Sequence, residues 1–113
     1  MNTLLVVSSI DFADSEYGSC ELTYEHLIIR ITSWDNKKIT ILIQDPIQFS
    51  YKPSDFIQGF FEHTGSSPFL DEALRLKYER IPENHSYKLF QMLDISDFPF
   101  IEVVAQSATV TEE

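Results

Sequence analysis

Two stretches of the chain largely alternate between apolar and polar side chains. From His26 to Thr32 and from Lys38 to Gln44, Leu27, Ile29 and Ile31 and then Ile39, Ile41 and Ile43 occupy every second position, with Arg30, Thr32, Lys38 and Thr40 in the opposite sets. A period of two is that of a strand with one face buried and one wet. Ser33-Trp34-Asp35-Asn36-Lys37 between them supplies turn formers, so the runs are predicted to pair as an antiparallel hairpin with Ile31 near Ile39. A second hairpin is predicted over Tyr87 to Leu93 and Pro99 to Gln106, around Asp94-Ile95-Ser96-Asp97. Pro99 lacks the N–H a ladder needs and can only open its strand. Leu4 to Ile10, Ser19 to Tyr24 and Ile47 to Tyr51 are shorter strand candidates.

The period changes to helical after Ser67. Leu70, Ala73, Leu74, Tyr78 and Ile81 form one stripe, Ser67 suits an N-cap and Pro68 the first helical position. Asp71 and Glu72 lie in the first turn, and Arg75, Lys77 and Arg80 follow, an order that suits the helix macrodipole. The helix is expected over Pro68 to Arg80, ended by Pro82 and packed through Leu70, Leu74 and Tyr78. Ser54 to His63 stays open: Phe56, Ile57, Phe60 and Phe61 have helical spacing, and Gly59 weakens it. The segment 107–113 shows no apolar periodicity and is expected to fray, leaving one compact domain over 1–106. The expected fold is α+β, an antiparallel sheet of about five or six strands with one main helix on a face.

Composition changes this picture mainly through charge. The 113 residues carry 18 acidic and 8 basic side chains, net −10. A field of that sign repels phosphate backbones and anionic membranes and draws in basic protein faces, so neither nucleic acid nor membrane is expected as a partner. The apolar fraction of 43%, with nine Phe and five Tyr, is enough to fill a core without metal or disulfide. Cys20 is the single cysteine, which excludes an internal disulfide and suits a reducing cytoplasm. The apolar run at Met1 to Ile10 is too short to span a bilayer, has no positive flank and reads as a first strand.

No catalytic or cofactor motif stands out. His26, His63 and His85 each neighbour a Glu, but no local pair has the spacing of a ligand pair on a helix, so no metal site is expected. Cys20 has no cation beside it to lower its pKa and reads as a packing residue. Ser66 and Ser67 lack a strand-to-helix nucleophile elbow. Gly18, Gly59 and Gly65 cannot build a phosphate loop, and no cofactor is expected. Asp11, Asp14 and Glu16 form an acidic turn without the ligand order of a calcium loop.

The remaining candidates are surface residues. The stretch Phe49 to Phe69 is unusually rich in aromatics, and any exposed beside Asp55 or Glu62 would be interface anchors, with Phe60 as the candidate. Trp34, in a turn beside Asp35, is a second. The Trp34-Asp35 turn between alternating strands, together with the late strand Phe100-Ile101-Glu102-Val103-Val104, resembles the small acidic bacterial immunity proteins of polymorphic or contact-dependent toxin systems. That resemblance implies binding to a cognate basic toxin and no enzymatic activity. Two classes follow: an acidic module binding a basic protein through Trp34, Asp35, Asp55, Phe60, Glu62, Asp11, Asp14 and Glu16, or a small-ligand binder or enzyme built around a residue such as Glu102. A flat acidic patch with exposed aromatics would favour the first, and a concave pocket with convergent polar groups the second.

Overall fold

The isoleucine-rich hairpin forms with the predicted register. In the computed structural model, which describes residues 3–6, 10, 12–54, 56–65, 67–79 and 84–112, β3 (His26–Thr32) and β4 (Lys38–Gln44) pair antiparallel with Ile31 opposite Ile39. All six alternating aliphatic side chains are buried. The second hairpin, β7 (Lys88–Asp94) and β8 (Pro99–Ala105), also forms.

The two hairpins turn in the same way. In each, the first turn residue donates its N–H to the carbonyl four residues on and accepts from the N–H three residues on. These bonds are Ser33 to Lys37 (2.9 Å) and Asn36 to Ser33 (3.0 Å), then Asp94 to Phe98 (3.0 Å) and Asp97 to Asp94 (3.0 Å). The fourth residue is left-handed, Asn36 with φ 65° and Asp97 with φ 64°, the arrangement of a type I turn followed by a bulge. The side chains of Ser33 and Asp94 accept the N–H of Lys37 and Phe98 at 2.9 Å each, closing the turns. Both turns therefore place a large apolar residue at the same outward position, Trp34 at 70% exposure and Ile95 at 61%.

Around these hairpins lie β1 (Thr3–Val6), β2 (Ser15–Leu22), β5 (Gln48–Tyr51), β6 (Phe56–Thr64) and β9 (Ser107–Glu112). The sheet runs β5-β8-β7-β6-β2-β3-β4-β9, with β1 along the C-terminal half of β6 and every pairing antiparallel. Its two ends are joined by the chain. β4 leads into β5 through Asp45, Pro46 and Ile47, and β8 into β9 through Gln106 alone. The Gln106 N–H bonds the Gln44 carbonyl at 3.0 Å, and that of Ile47 bonds Val104 at 2.8 Å, so the ladder carries on around the corner. The sheet thus folds over itself, and β3 and β4 face β6, β7 and β8 across one core that includes Ile29, Ile41, Phe60, Met92 and Val103.

The described residues hold nine strands, against an expected five or six. Two segments not read as strands account for part of the excess. The open segment after Ser54 is strand β6, whose helix-like spacing comes from a register shift between Ile57 and Gly59. The extra residue lets both Ile57 and Phe60 point inward. The segment expected to fray is strand β9, paired with β4 from Ser107 opposite Gln44 to Glu112 opposite Ile39. Its alternation is carried by Ala108 and Val110, which pack against the core, and a single Ala-x-Val pair is too weak a pattern to read.

Helix α1 (Pro68–Tyr78) begins as expected, with the Ser67 side chain accepting the N–H of Leu70 at 3.4 Å. It ends earlier, at Glu79, whose left-handed backbone (φ 68°) sends its N–H to the Arg75 carbonyl. Arg80 and Pro82 lie outside the described residues. Ala73 and Leu74 are buried against Tyr87, Leu89 and Val104 on the outer face of β7 and β8, with Phe69 and Leu70 at the margin. Tyr78 is 41% exposed and meets Tyr87 edge to face rather than filling the core.

A truncation and a substitution test this architecture. A chain ending at Gln106 loses the β9 ladder and the packing of Ala108 and Val110, and urea melts should show a loss of at least about 2 kcal/mol, where a frayed tail would cost nothing. At Gly18, a Cβ would stand 2.8 Å from the Arg30 carbonyl oxygen, a backbone atom that cannot swing aside. Gly18→Ala should destabilise by about 1–3 kcal/mol in the same assay.

Candidate functional site

The start of β2 organises one end of the molecule. Ser15 is buried, so by strand alternation Glu16 faces out. Glu16 is opposite Thr32 of β3 on one side and Phe56 of β6 on the other. Trp34 lies in its turn two residues beyond Thr32, and Asp14, left-handed at φ 59°, bonds its N–H to the Ile57 carbonyl at 3.1 Å. Tyr17 stacks on Tyr51 at the end of β5, ring centroids 5.1 Å apart. Lys52 lies over the Phe98 ring at 5.6 Å, and Ser54 donates its hydroxyl to Asp94 at 2.7 Å. Phe56, Tyr51, Ile95 and Phe98, all exposed, therefore share this end with the carboxylates of Asp14, Glu16 and Asp97.

Glu16, Tyr17, Ser54 and Phe56 line a depression of about 250 Å³. Burial first, and then the Cys20 thiol against it, pushes the Tyr17 phenol above its usual pKa, so this wall stays uncharged. Glu16 makes no ion pair among the described residues. A second dent, about 370 Å³, lies where Gly18 leaves β2 without a side chain, and its walls carry Arg30, Thr32, Lys38 and Thr40. Arg30 there pairs with Glu21 at 3.5 Å.

The sequence-predicted residues divide. Asp14 and Glu16 stand at this end beside Phe56, and Trp34 stands past Glu16 with its ring 70% exposed rather than folded onto the sheet. Asp35 belongs to the Trp34 turn, where it accepts the Ser33 hydroxyl and pairs with Lys37 at 3.7 Å. Those contacts, the hydroxyl first, hold its carboxyl below the usual range. Glu62 does not join them: it lies up β6, roughly 20 Å along the strand from Phe56, and pairs with Lys88 at 3.7 Å. Phe60, 2% exposed, is core and cannot be an anchor. The bulge at Gln58 inverts the reading there, and Phe56 is the exposed ring. Asp11 and Asp55 lie outside the described residues.

Other candidates are accounted for locally. Glu102 shares the outer face with Val104 and accepts the Gln91 side-chain amide at 2.9 Å. Cys20 is half-buried against the core. Near the corner, Asp45 accepts Tyr87 (3.2 Å) and Gln106 (3.1 Å), while Lys77 reaches over the Tyr87 ring and its amine is held above its usual pKa, chiefly by Tyr87. Among the described residues no three His, Cys, Asp or Glu side chains gather in a group that could hold a metal ion, and no helix is long and apolar enough to cross a membrane. Ile95 and Phe98 were missed by sequence reasoning; the signal for Ile95 was its place after Asp94, equivalent to that of Trp34 after Ser33.

Comparison with family models, with characterised proteins and with solved structures returns no match.

Asp94 ties the site to acid stability. The Ser54 hydroxyl first, then the N–H groups of Phe98 and Ser96, hold its carboxyl below the ordinary range. A depressed folded pKa stabilises above the unfolded value, about 4, and that stabilisation is lost as pH falls through the folded value. Thermal melts should therefore show Asp94→Asn less stable than the parent at pH 7, with the gap closing towards pH 3. A gap that stays constant with pH would exclude the charge of Asp94 as the cause.

Proposed function

We propose that this chain is an acidic protein-binding module for a basic protein, and specifically an immunity protein that neutralises a cationic toxin. The observation that carries the reading is the gathering of exposed Phe56, Tyr51, Ile95 and Phe98 at one end, beside Asp14, Glu16 and Asp97. Single exposed apolar residues are ordinary, but several together, rimmed by charge, have the make-up of an interface centre. Net charge −10 supplies long-range steering for a basic partner, and the apolar side chains supply contacts that hold it once docked. The alternative, a small-ligand binder or enzyme, is less well supported, because the Glu102 carboxylate on which it leaned is engaged by Gln91 on an outer sheet face.

The toxin reading is tested in cells. If the chain is an immunity protein, a reading frame beside its gene should arrest growth when expressed alone and be tolerated when this chain is co-expressed. The steering reading is tested in vitro on that pair: association should slow several-fold between low and physiological salt, where exposed charges are screened beyond roughly 8 Å. Changing Asp14, Glu16 and Asp97 together to Lys should slow it further, with folding confirmed by thermal melt. An association rate indifferent to both salt and these reversals would leave the acidic surface without a role in binding.

A further inference from the structure

The geometry points to the depression between β2 and β6 as a receptor for one arginine or lysine side chain of the protein partner, an inference that rests on the binding reading above and gives it a contact. Its volume, about 250 Å³, falls below the roughly 300–1,000 Å³ of small-molecule sites and suits a single long side chain. Its walls match the two parts of such a side chain. Phe56 offers a ring against which an alkyl stem packs and over which a cation is attracted, while Tyr17, packed against the core and stacked on Tyr51, closes the depression from the inner side. Glu16, directly opposite Phe56 in the ladder, places a carboxylate beside that ring, and no described cation pairs with it.

Ser54 completes the set. Its hydroxyl proton goes to Asp94, so its oxygen keeps lone pairs that accept from an incoming N–H. The Glu16 carboxylate and the Ser54 oxygen can thus both accept, and Tyr17, stacked on Tyr51, adds a rigid wall. A guanidinium fits this better than an ammonium, because it can bind the carboxylate through two parallel bonds while its plane lies against a ring.

The test uses small probes, so that it does not depend on knowing the partner. N-acetyl-arginine methylamide, the lysine equivalent and the neutral isostere N-acetyl-citrulline methylamide are each titrated into the full-length protein and followed by amide and aromatic NMR. The arginine probe should give saturable shifts confined to Glu16, Tyr17, Ser54 and Phe56, with the lysine probe weaker and citrulline without effect. Glu16→Gln should weaken arginine binding about tenfold, the loss of a charged hydrogen bond. Glu72→Gln, an exposed helix carboxylate outside the depression, should leave it unchanged. Glu16 is exposed, so the variant is expected to fold, and its own spectrum verifies this. Equal shifts with citrulline, shifts spread over all carboxylates, or indifference to Glu16→Gln would overturn the inference. Such a failure would be distinct from failure of the binding reading, which is judged by the salt dependence of a protein complex.

Discussion

The ladder between residues 38–51 and 99–112 turns a corner without breaking, and the rest of the molecule depends on that continuity. At the corner Gln44 faces Ser107 and also accepts the N–H of Gln106, two residues opposite one, which is the pattern of a bulge. Asp45, left-handed at φ 55°, turns the other strand at the same level and fixes the corner through Tyr87 and Gln106. Without this bend, β4 and β8 would carry their apolar faces apart, and the aliphatic rows would have nothing to close upon. With it, Ile39, Ile41 and Ile43 lie against Phe90, Met92 and Ile101 in one core.

How far the sequence discloses this follows from which devices set the period. β3, β4, β7, β8 and the start of α1 were legible because regular alternation and a capped helical stripe are local signals. β6 was not, because one inserted residue at Gln58 converts period two into an apparent period of three and gives a strand the spacing of a helix. The same insertion explains the error over the anchors: it turns Phe60 inward and leaves Phe56 outside. β9 escaped notice because only Ala108 and Val110 mark its inner face, and its partner strand lies more than sixty residues earlier. Asp14 and Glu16 were visible as charges, but their neighbourhood with Tyr17, Ser54 and Phe56 is made by pairing across the sheet, which no local pattern encodes.

Part of the acidity is accounted for by the fold itself. Asp14, Asp45 and Asp97 occupy left-handed positions, where a short polar side chain is tolerated better than most, and Asp94 ties off a turn through two N–H groups. These aspartates would be favoured by the fold whatever the protein bound. Asp35 and Glu62 are likewise engaged with Lys37 and Lys88. Exposed ion pairs of this kind contribute little to stability, but they do neutralise part of the field locally. Glu16 is different: it occupies an ordinary strand position, caps nothing and has no ion-pair partner among the described residues, so no local structural need accounts for its charge.

That distinction separates two ranges of electrostatic action. The summed charge of −10 acts at a distance, is indifferent to where each carboxylate sits, and is damped within about a Debye length by salt. A single carboxylate against a ring acts at contact, is only weakly screened once water is displaced, and selects by shape. The first governs how often a basic surface arrives and the second how long it stays, because mutations at a rim alter association while those in a desolvated contact alter dissociation. In this molecule the carboxylate available for contact, Glu16, stands at the end that carries exposed apolar side chains. Under the proposed function, a basic partner drawn by the general field would meet Trp34, Phe56, Ile95 and Phe98 where Glu16 has no ion-pair partner among the described residues, so orientation and attraction would favour the same docked pose.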